Sequence, residues 1–130
     1  MKLHHVGVAV KDLDEAIKRH QGMGLRLAHR EVVVSQKVEV AFMGDGPYIE
    51  LVTGTDPQSN VSKFIEKKGP GQHHLAFAVP SIADELKKQA AAGATLIDQA
   101  ARPGAWGHFV AFLHPKDQGG VLIELVQESH

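Results

Sequence analysis

The sequence predicts an α+β fold in which paired βαβββ modules form a mixed sheet cleft around a metal site. Three observations predict it: the two halves of the chain match in sequence, they share one order of strand and helix patterns, and each carries a histidine and a glutamate at matching positions. The length of 130 residues is that of one domain. We expect a single domain over residues 1–130, built from two units at about residues 1–55 and 70–130.

The internal repeat appears when the sequence is shifted by about 70 positions. The matching blocks are residues 4–10 with 73–79, residues 40–42 with 110–112, and residues 49–52 with 123–126. The offset grows from 69 to 74 because the second half has a longer turn before its last strand. Several blocks in one order indicate a duplicated unit, because a single chance match would not continue along the chain.

Each unit begins with a β-rich segment and continues into an amphipathic helix. The first strands are predicted at residues 3–10 and 72–79. The helices follow Asp12 and Ser81, both of which are good N-cap residues, and glycines end them at residues 22–24 and at Gly93. Apolar residues within each helix recur at spacings of three and four, which predicts one buried face.

Three strand-like runs follow each helix and complete the βαβββ pattern. They are predicted at residues 25–34, 36–43 and 48–53 in the first unit, and at residues 94–98, 107–113 and 120–127 in the second. Turns rich in glycine, proline and aspartate separate them. A short helix is predicted at residues 62–67 between the units.

The composition excludes several classes of function. Fourteen basic and fifteen acidic residues leave no basic excess for binding nucleic acid or an anionic membrane surface. The absence of cysteine rules out disulfides, thiolate metal sites and a cysteine nucleophile. Because the chain shows neither a signal-peptide pattern nor an apolar run of membrane length, we expect a soluble, cytoplasmic protein.

The repeat brings metal-binding residue types into matched positions. His5 and His74 lie in the first strand of each unit, and Glu50 and Glu124 lie in the last. If related units pack about a pseudo-twofold axis, these four side chains converge on one point. Two imidazoles and two carboxylates suit an octahedral divalent ion, such as Co, Ni, Mn, Fe or Zn. A lone strand glutamate or terminal histidine is usually just solvated, so the duplication carries the prediction.

The same residues resemble the vicinal oxygen chelate, or glyoxalase-like, superfamily of metalloenzymes, and within it the methylmalonyl-CoA epimerase family. The resemblance covers essentially the whole chain. The matching stretches are residues 3–13, 36–42, 71–76 and, most specifically, 114–125 (His-Pro-Lys-Asp-Gln-Gly-Gly-Val-Leu-Ile-Glu-Leu). The resemblance implies paired βαβββ modules, the four ligands named above and an acyl-CoA substrate.

The reaction that the resemblance implies is epimerisation of methylmalonyl-CoA by proton transfer at the α-carbon, through an enediolate-like anion stabilised by the metal ion. Inversion of that carbon requires one acid–base group on each of its faces. Glu124 and Glu39 are the candidates, with Glu124 serving also as a metal ligand. Glu39 is equally compatible with a solvated carboxylate on a sheet edge.

Two other functions remain open on the sequence alone. A glutathione-dependent isomerase of the glyoxalase I type uses a similar ligand pattern, although the turn at residues 114–117 is more typical of the epimerases. A metal-free small-molecule-binding protein with the same paired fold has no need of duplicated histidines and glutamates. Open sheets of this size often dimerise to cover their edges, so we expect a homodimer.

Overall fold

A computed structural model describes all 130 residues, which divide into two compact units: residues 5–73, and residues 1–4 together with 74–130. The strands and helices, in chain order, are β1 (Lys2–Ala9), α1 (Leu13–Gly22), β2 (Leu27–Val33), β3 (Val38–Met43), β4 (Tyr48–Gly54), α2 (Asn60–Lys68), β5 (Gly71–Ala78), α3 (Ile82–Ala91), β6 (Arg102–Pro103), β7 (Phe109–Leu113) and β8 (Leu122–Gln127). None of the three helices has the length and apolar character needed to cross a membrane.

The strands of the two modules pair in the same pattern. In the first, β2 pairs with β3 and β3 with β4, both antiparallel, while β1 pairs with β4 in parallel. In the second, β6 pairs with β7 and β7 with β8, both antiparallel, while β5 pairs with β8 in parallel. The predicted α+β fold of paired βαβββ modules with mixed sheets is therefore confirmed.

Both predicted helix starts are capped as the sequence indicates. The Asp12 carboxylate accepts a hydrogen bond from the backbone N–H of Glu15 at 3.0 Å, and the Ser81 hydroxyl accepts one from the N–H of Asp84 at 3.2 Å. Each cap satisfies one of the N–H groups that the first helical turn leaves unpaired. The helix between the units is longer than predicted: it begins two residues earlier, at Asn60, with Ser59 as its N-cap, and ends one residue later.

Each helix covers one face of its own sheet with an apolar core. The first core is made of Leu13, Ile17, Ala41, Met43 and Leu51, and the second contains Ile82, Leu86, Ala111, Leu113 and Leu125. Successive side chains of a strand point to opposite faces of the sheet. A residue adjacent to these core positions on β4 or β8 therefore lies on the face opposite the helix.

The predicted strand at residues 94–98 is wrong. The structure has only an isolated bridge between Leu96 and Leu113 there, and β6 is a two-residue strand at Arg102–Pro103. The Asp98 carboxylate accepts the backbone N–H of Phe112 at 2.8 Å, so this donor of β7 is unavailable to a ladder. Pro103 contributes no N–H of its own.

The stretch around Asp117 is hydrogen-bonded to the backbone of Thr95. Its carboxylate accepts a hydrogen bond from the Thr95 backbone N–H at 2.8 Å, and the His114 backbone N–H donates to the Thr95 carbonyl at 2.8 Å. The hydrogen bonds from Thr95 lower the pKa of Asp117, since they favour the ionised carboxylate. The start of the motif that resembles the epimerase family, between β7 and β8, is thus hydrogen-bonded to the segment that precedes β6.

We expect Asp117→Ala to destabilise the protein at neutral pH but not in strong acid. The pKa of Asp117 is lower in the folded state, so its contribution to stability is present above the unfolded value of about 3.9 and is lost as pH falls through the folded value. Denaturation of both proteins at pH 7 and near pH 2 measures this. A stability difference that is the same at both pH values would contradict the contribution of the ionised Asp117 carboxylate to stability.

Candidate metal centre

In the first module, His5 and Glu50 form a buried pair on the face of the sheet opposite helix α1. Gly7 of β1 pairs in register with Glu50 of β4, and His5 lies two residues before Gly7, so both side chains share one face. His5 Nε2 lies 3.4 Å from Glu50 Oε1. The His5 side chain is 2% exposed and that of Glu50 is 9% exposed.

The second module repeats this arrangement with His74 and Glu124. Ala76 of β5 pairs in register with Glu124 of β8, again two residues beyond the histidine. His74 Nε2 lies 3.0 Å from Glu124 Oε1, and both side chains are buried. The equivalence that the sequence repeat predicts is therefore present in the backbone register as well as in the side chains.

A phenylalanine ring packs against the histidine of each pair. Phe42 of β3 is opposite Glu50, and its ring meets the His5 imidazole edge-on, with centroids 5.4 Å apart at 84°. Phe112 of β7 is opposite Glu124 and meets His74 at 6.2 Å and 82°. Sequence reasoning did not assign these rings to the site, although both end the recurring Val-Ala-Phe block.

The geometry of each pair fits two neighbouring ligands of one metal ion. Ligand bonds of about 2.1 Å at a right angle place the donor atoms about 3 Å apart, close to the two observed separations. Imidazole nitrogen and carboxylate oxygen suit borderline and hard divalent ions. Burying a carboxylate costs several kcal/mol unless it is paired. All four residues are buried and belong to the types that hold metal ions: His5, Glu50, His74 and Glu124.

Glu39, predicted as a catalytic base, is placed elsewhere. It pairs in register with Thr53 and shares its face of β3 with Ala41, whose side chain packs against helix α1. Glu50 points to the opposite face. The Glu39 carboxylate accepts a hydrogen bond from Arg30 Nε at 2.8 Å, and Arg30 also pairs with Asp14 of helix α1. We therefore do not carry Glu39 into the proposed chemistry.

His4 and His73, the strand neighbours of His5 and His74, take part in other contacts. The His73 ring packs edge-on against Phe64 at 4.8 Å, and the His4 ring packs edge-on against His108 at 5.6 Å. His4 Nε2 also lies 3.9 Å from Glu128 Oε2.

The chain resembles known proteins in sequence and in structure. The sequence family described as the Glyoxalase/Bleomycin resistance protein/Dioxygenase superfamily matches residues 4–112, which is most of the chain. The chain belongs to this superfamily. The matched residues include His5, Glu50 and His74, and Glu124 follows them on β8.

Individual members of the superfamily narrow the activity. The chain is 36% identical to the mitochondrial methylmalonyl-CoA epimerase of Mus musculus, over 97% of its own length and 72% of the mouse chain. It is also 38% identical to the uncharacterized protein YqjC of Bacillus subtilis, over 97% of its length and 91% of that protein. The epimerase relative shows that this glyoxalase-superfamily chain is an enzyme, an isomerase of the epimerase type.

A solved structure agrees with this assignment. A single-residue variant of the methylmalonyl-CoA epimerase of Streptomyces coelicolor, in complex with 2-nitronate-propionyl-CoA, is 32% identical and superposes with a TM-score of 0.94. The match covers 99% of this chain and 95% of the Streptomyces chain. The superfamily fold is therefore preserved over essentially the whole length.

Replacing Glu39 by Gln tests where the structure places this residue. The variant loses the ion pair between Glu39 of β3 and Arg30 of β2, so we expect a loss of up to about 1 kcal/mol in the free energy of unfolding. Asp14→Asn, which weakens the same Arg30 cluster from the helix side, should behave alike. Urea denaturation checks both variants. An unchanged stability combined with a large loss of turnover would contradict the placement and restore the catalytic role predicted from sequence.

Proposed function

We propose that this enzyme interconverts (R)- and (S)-methylmalonyl-CoA, using one divalent metal ion held by His5, Glu50, His74 and Glu124. The observation that carries the proposal is the repeated buried histidine–glutamate pair. The names of the epimerase relatives and the acyl-CoA analogue bound by the Streptomyces enzyme support the choice of substrate.

The ligand set supports one shared ion better than two separate ions. Each pair supplies only one nitrogen and one oxygen, whereas octahedral ions take six ligands. Two pairs on one ion would provide four protein ligands and leave two positions for oxygens of a substrate. Both pairs come from equivalent strands of a duplicated module, as a shared site on a pseudo-twofold axis requires.

The reaction places specific demands on these side chains. The proton on the carbon between a thioester and a carboxylate is moderately acidic, and its loss moves negative charge onto oxygen. A divalent ion in this site would act as a Lewis acid that stabilises this charge. His5, His74 and Glu50 would hold the ion, and the ion would in turn bind the substrate oxygens. We assign to Glu124 the further role of holding or returning a proton through its carboxylate.

The packing around the pairs also suits this chemistry. Phe42 and Phe112 cover the histidines on one side and limit the access of water, which strengthens electrostatic interactions at the site.

We expect one metal ion per chain, and we expect its binding to depend on both modules. His74→Ala should reduce metal content and turnover together, and His5→Ala should do the same, since each variant removes one ligand of the shared ion. Elemental analysis of protein purified without chelators measures the occupancy. Two ions per chain, or full occupancy in the double His5→Ala, His74→Ala variant, would overturn the shared site.

The choice of substrate is tested by turnover of metal-loaded protein. We expect the protein to interconvert the methylmalonyl-CoA epimers, which chiral chromatography of the thioesters measures. We expect no comparable conversion of the methylglyoxal–glutathione adduct. Treatment with a chelator should abolish the activity, and added divalent metal should restore it. Efficient conversion of the glutathione adduct alone would instead establish an isomerase of the glyoxalase I type.

A further inference from the structure

We propose that His29, oriented by Glu31, is the acid–base group that exchanges a proton with one face of the substrate's α-carbon. The inference rests on the proposed epimerase function and adds to it a proton-transfer group that is not a metal ligand. It assigns to this histidine–glutamate dyad the role that the sequence had suggested for Glu39.

The strand register places His29 on the same face as the metal-binding pair of its module. His29 of β2 is directly opposite Phe42 of β3, and Phe42 is directly opposite Glu50 of β4. Residues opposite one another in neighbouring strands project from the same side of a sheet. The His29 ring contacts the Phe42 ring, with centroids 6.4 Å apart. Phe42 in turn contacts His5, so one ring links the two histidines.

Local backbone geometry directs His29 toward this face. The register of β2 and β3 shifts between Leu27 and His29, which marks a bulge or irregularity immediately before the histidine. Such irregularities re-aim the following side chain and are over-represented beside active sites. Arg30, the next residue, points to the other face, where it pairs with Glu39.

The dyad has the geometry of an oriented general base. His29 Nε2 lies 2.7 Å from Glu31 Oε1, and the two residues are two positions apart on one strand. A carboxylate on one ring nitrogen fixes the imidazole tautomer and the orientation of the ring. The His29 and Glu31 side chains are 28% and 33% exposed, whereas His5 is 2% exposed. The side chains of the dyad are thus more exposed to solvent than the His5 side chain of the ligand pair.

The equivalent location in the second module carries a group that cannot act as a base. Phe112, the counterpart of Phe42, has the Arg102 guanidinium over its ring at 5.3 Å, and Arg102 Nε donates to Asp98 at 3.1 Å. Both phenylalanines therefore carry a nitrogen-containing side chain held by a carboxylate. Arginine stays protonated in proteins, whereas histidine exchanges protons near neutral pH. Of the two, only the His29 dyad can remove a proton.

The proton-transfer step balances without any additional reactant. The C–H bond at the α-carbon breaks, its proton passes to Nδ1 of His29, and the electron pair is delocalised into the thioester carbonyl. Nε2 keeps its proton, directed at Glu31. A proton that Glu124 delivers to the opposite face then gives the other epimer. His29 releases its extra proton to solvent and Glu124 regains one from solvent, and the reverse sequence returns the first epimer.

The test combines His29→Gln and Glu31→Gln with two matched controls on helix α1. His20→Gln changes a histidine whose ring is hydrogen-bonded to the Ala16 carbonyl, and Glu15→Gln changes an exposed glutamate paired with Arg19. All four proteins are loaded with metal and assayed in D2O, starting from each epimer in turn. Chiral chromatography follows inversion, mass spectrometry follows deuterium at the α-carbon, and elemental analysis follows metal content.

We expect His29→Gln to keep its metal and to lose epimerisation by at least about a hundredfold, as the loss of one acid–base group does. The group on the other face should still exchange deuterium into one epimer without inverting it. Glu31→Gln, which acts through His29, should lower kcat about tenfold with little change in KM, and the two controls should match the unaltered enzyme.

Two results would overturn the inference while leaving the epimerase function intact. One is epimerisation by His29→Gln within about threefold of the unaltered enzyme. The other is joint loss of metal, inversion and exchange from both epimers, which would show a structural role. If the unaltered enzyme itself neither inverts nor exchanges methylmalonyl-CoA, the proposed function fails and this inference fails with it.

Discussion

Burial of a carboxylate beside an imidazole is the constraint on which the rest of this structure depends. Glu50 and Glu124 each stand on a strand whose neighbouring residues are apolar, where an unpaired carboxylate would be strongly destabilising. The protein offsets this destabilisation in the same way twice, with a histidine from the parallel neighbouring strand. Duplication of the module repeats this arrangement, so that one local structure supplies both halves of the proposed four-ligand set.

The strand periodicity divides each sheet into a stabilising face and a chemical face. On β4, Leu51 enters the core against helix α1, and the adjacent Glu50 points away from it. The same alternation on β8 separates Leu125 from Glu124. Helix packing can therefore stabilise the module without contributing to the site, and residues of the chemical face are free to differ between modules. The His29–Glu31 dyad in one and the Arg102–Asp98 pair in the other show this freedom.

Much of this architecture could be predicted from the sequence because duplication turns weak local signals into strong ones. One histidine near a terminus indicates little, but His5 and His74 at matching positions indicate a shared role. The helix caps at Asp12 and Ser81 were predicted from residue type, because each precedes a helical apolar pattern. The segment at 94–98 was mispredicted because Asp98 and Pro103 remove ladder hydrogen bonds, which is a tertiary effect that strand propensity does not contain.

The catalytic face was harder to predict than the ligand set. Alternation alone shows that Glu39 and Val38 point in opposite directions, but the register with β4 is needed to decide which of them faces Glu50. His29 and Glu31 are two positions apart on β2, so their side chains share a face. Only the cross-strand register places that face beside Phe42.

The central claim is that the two histidine–glutamate pairs bind one ion together. X-ray absorption spectroscopy of the Co²⁺-loaded enzyme measures this most directly, because it reports the number of imidazole and oxygen ligands around the metal. The account predicts a single six-coordinate environment with two imidazoles and a remaining shell of oxygens. A shell with one imidazole, or with none, would contradict it.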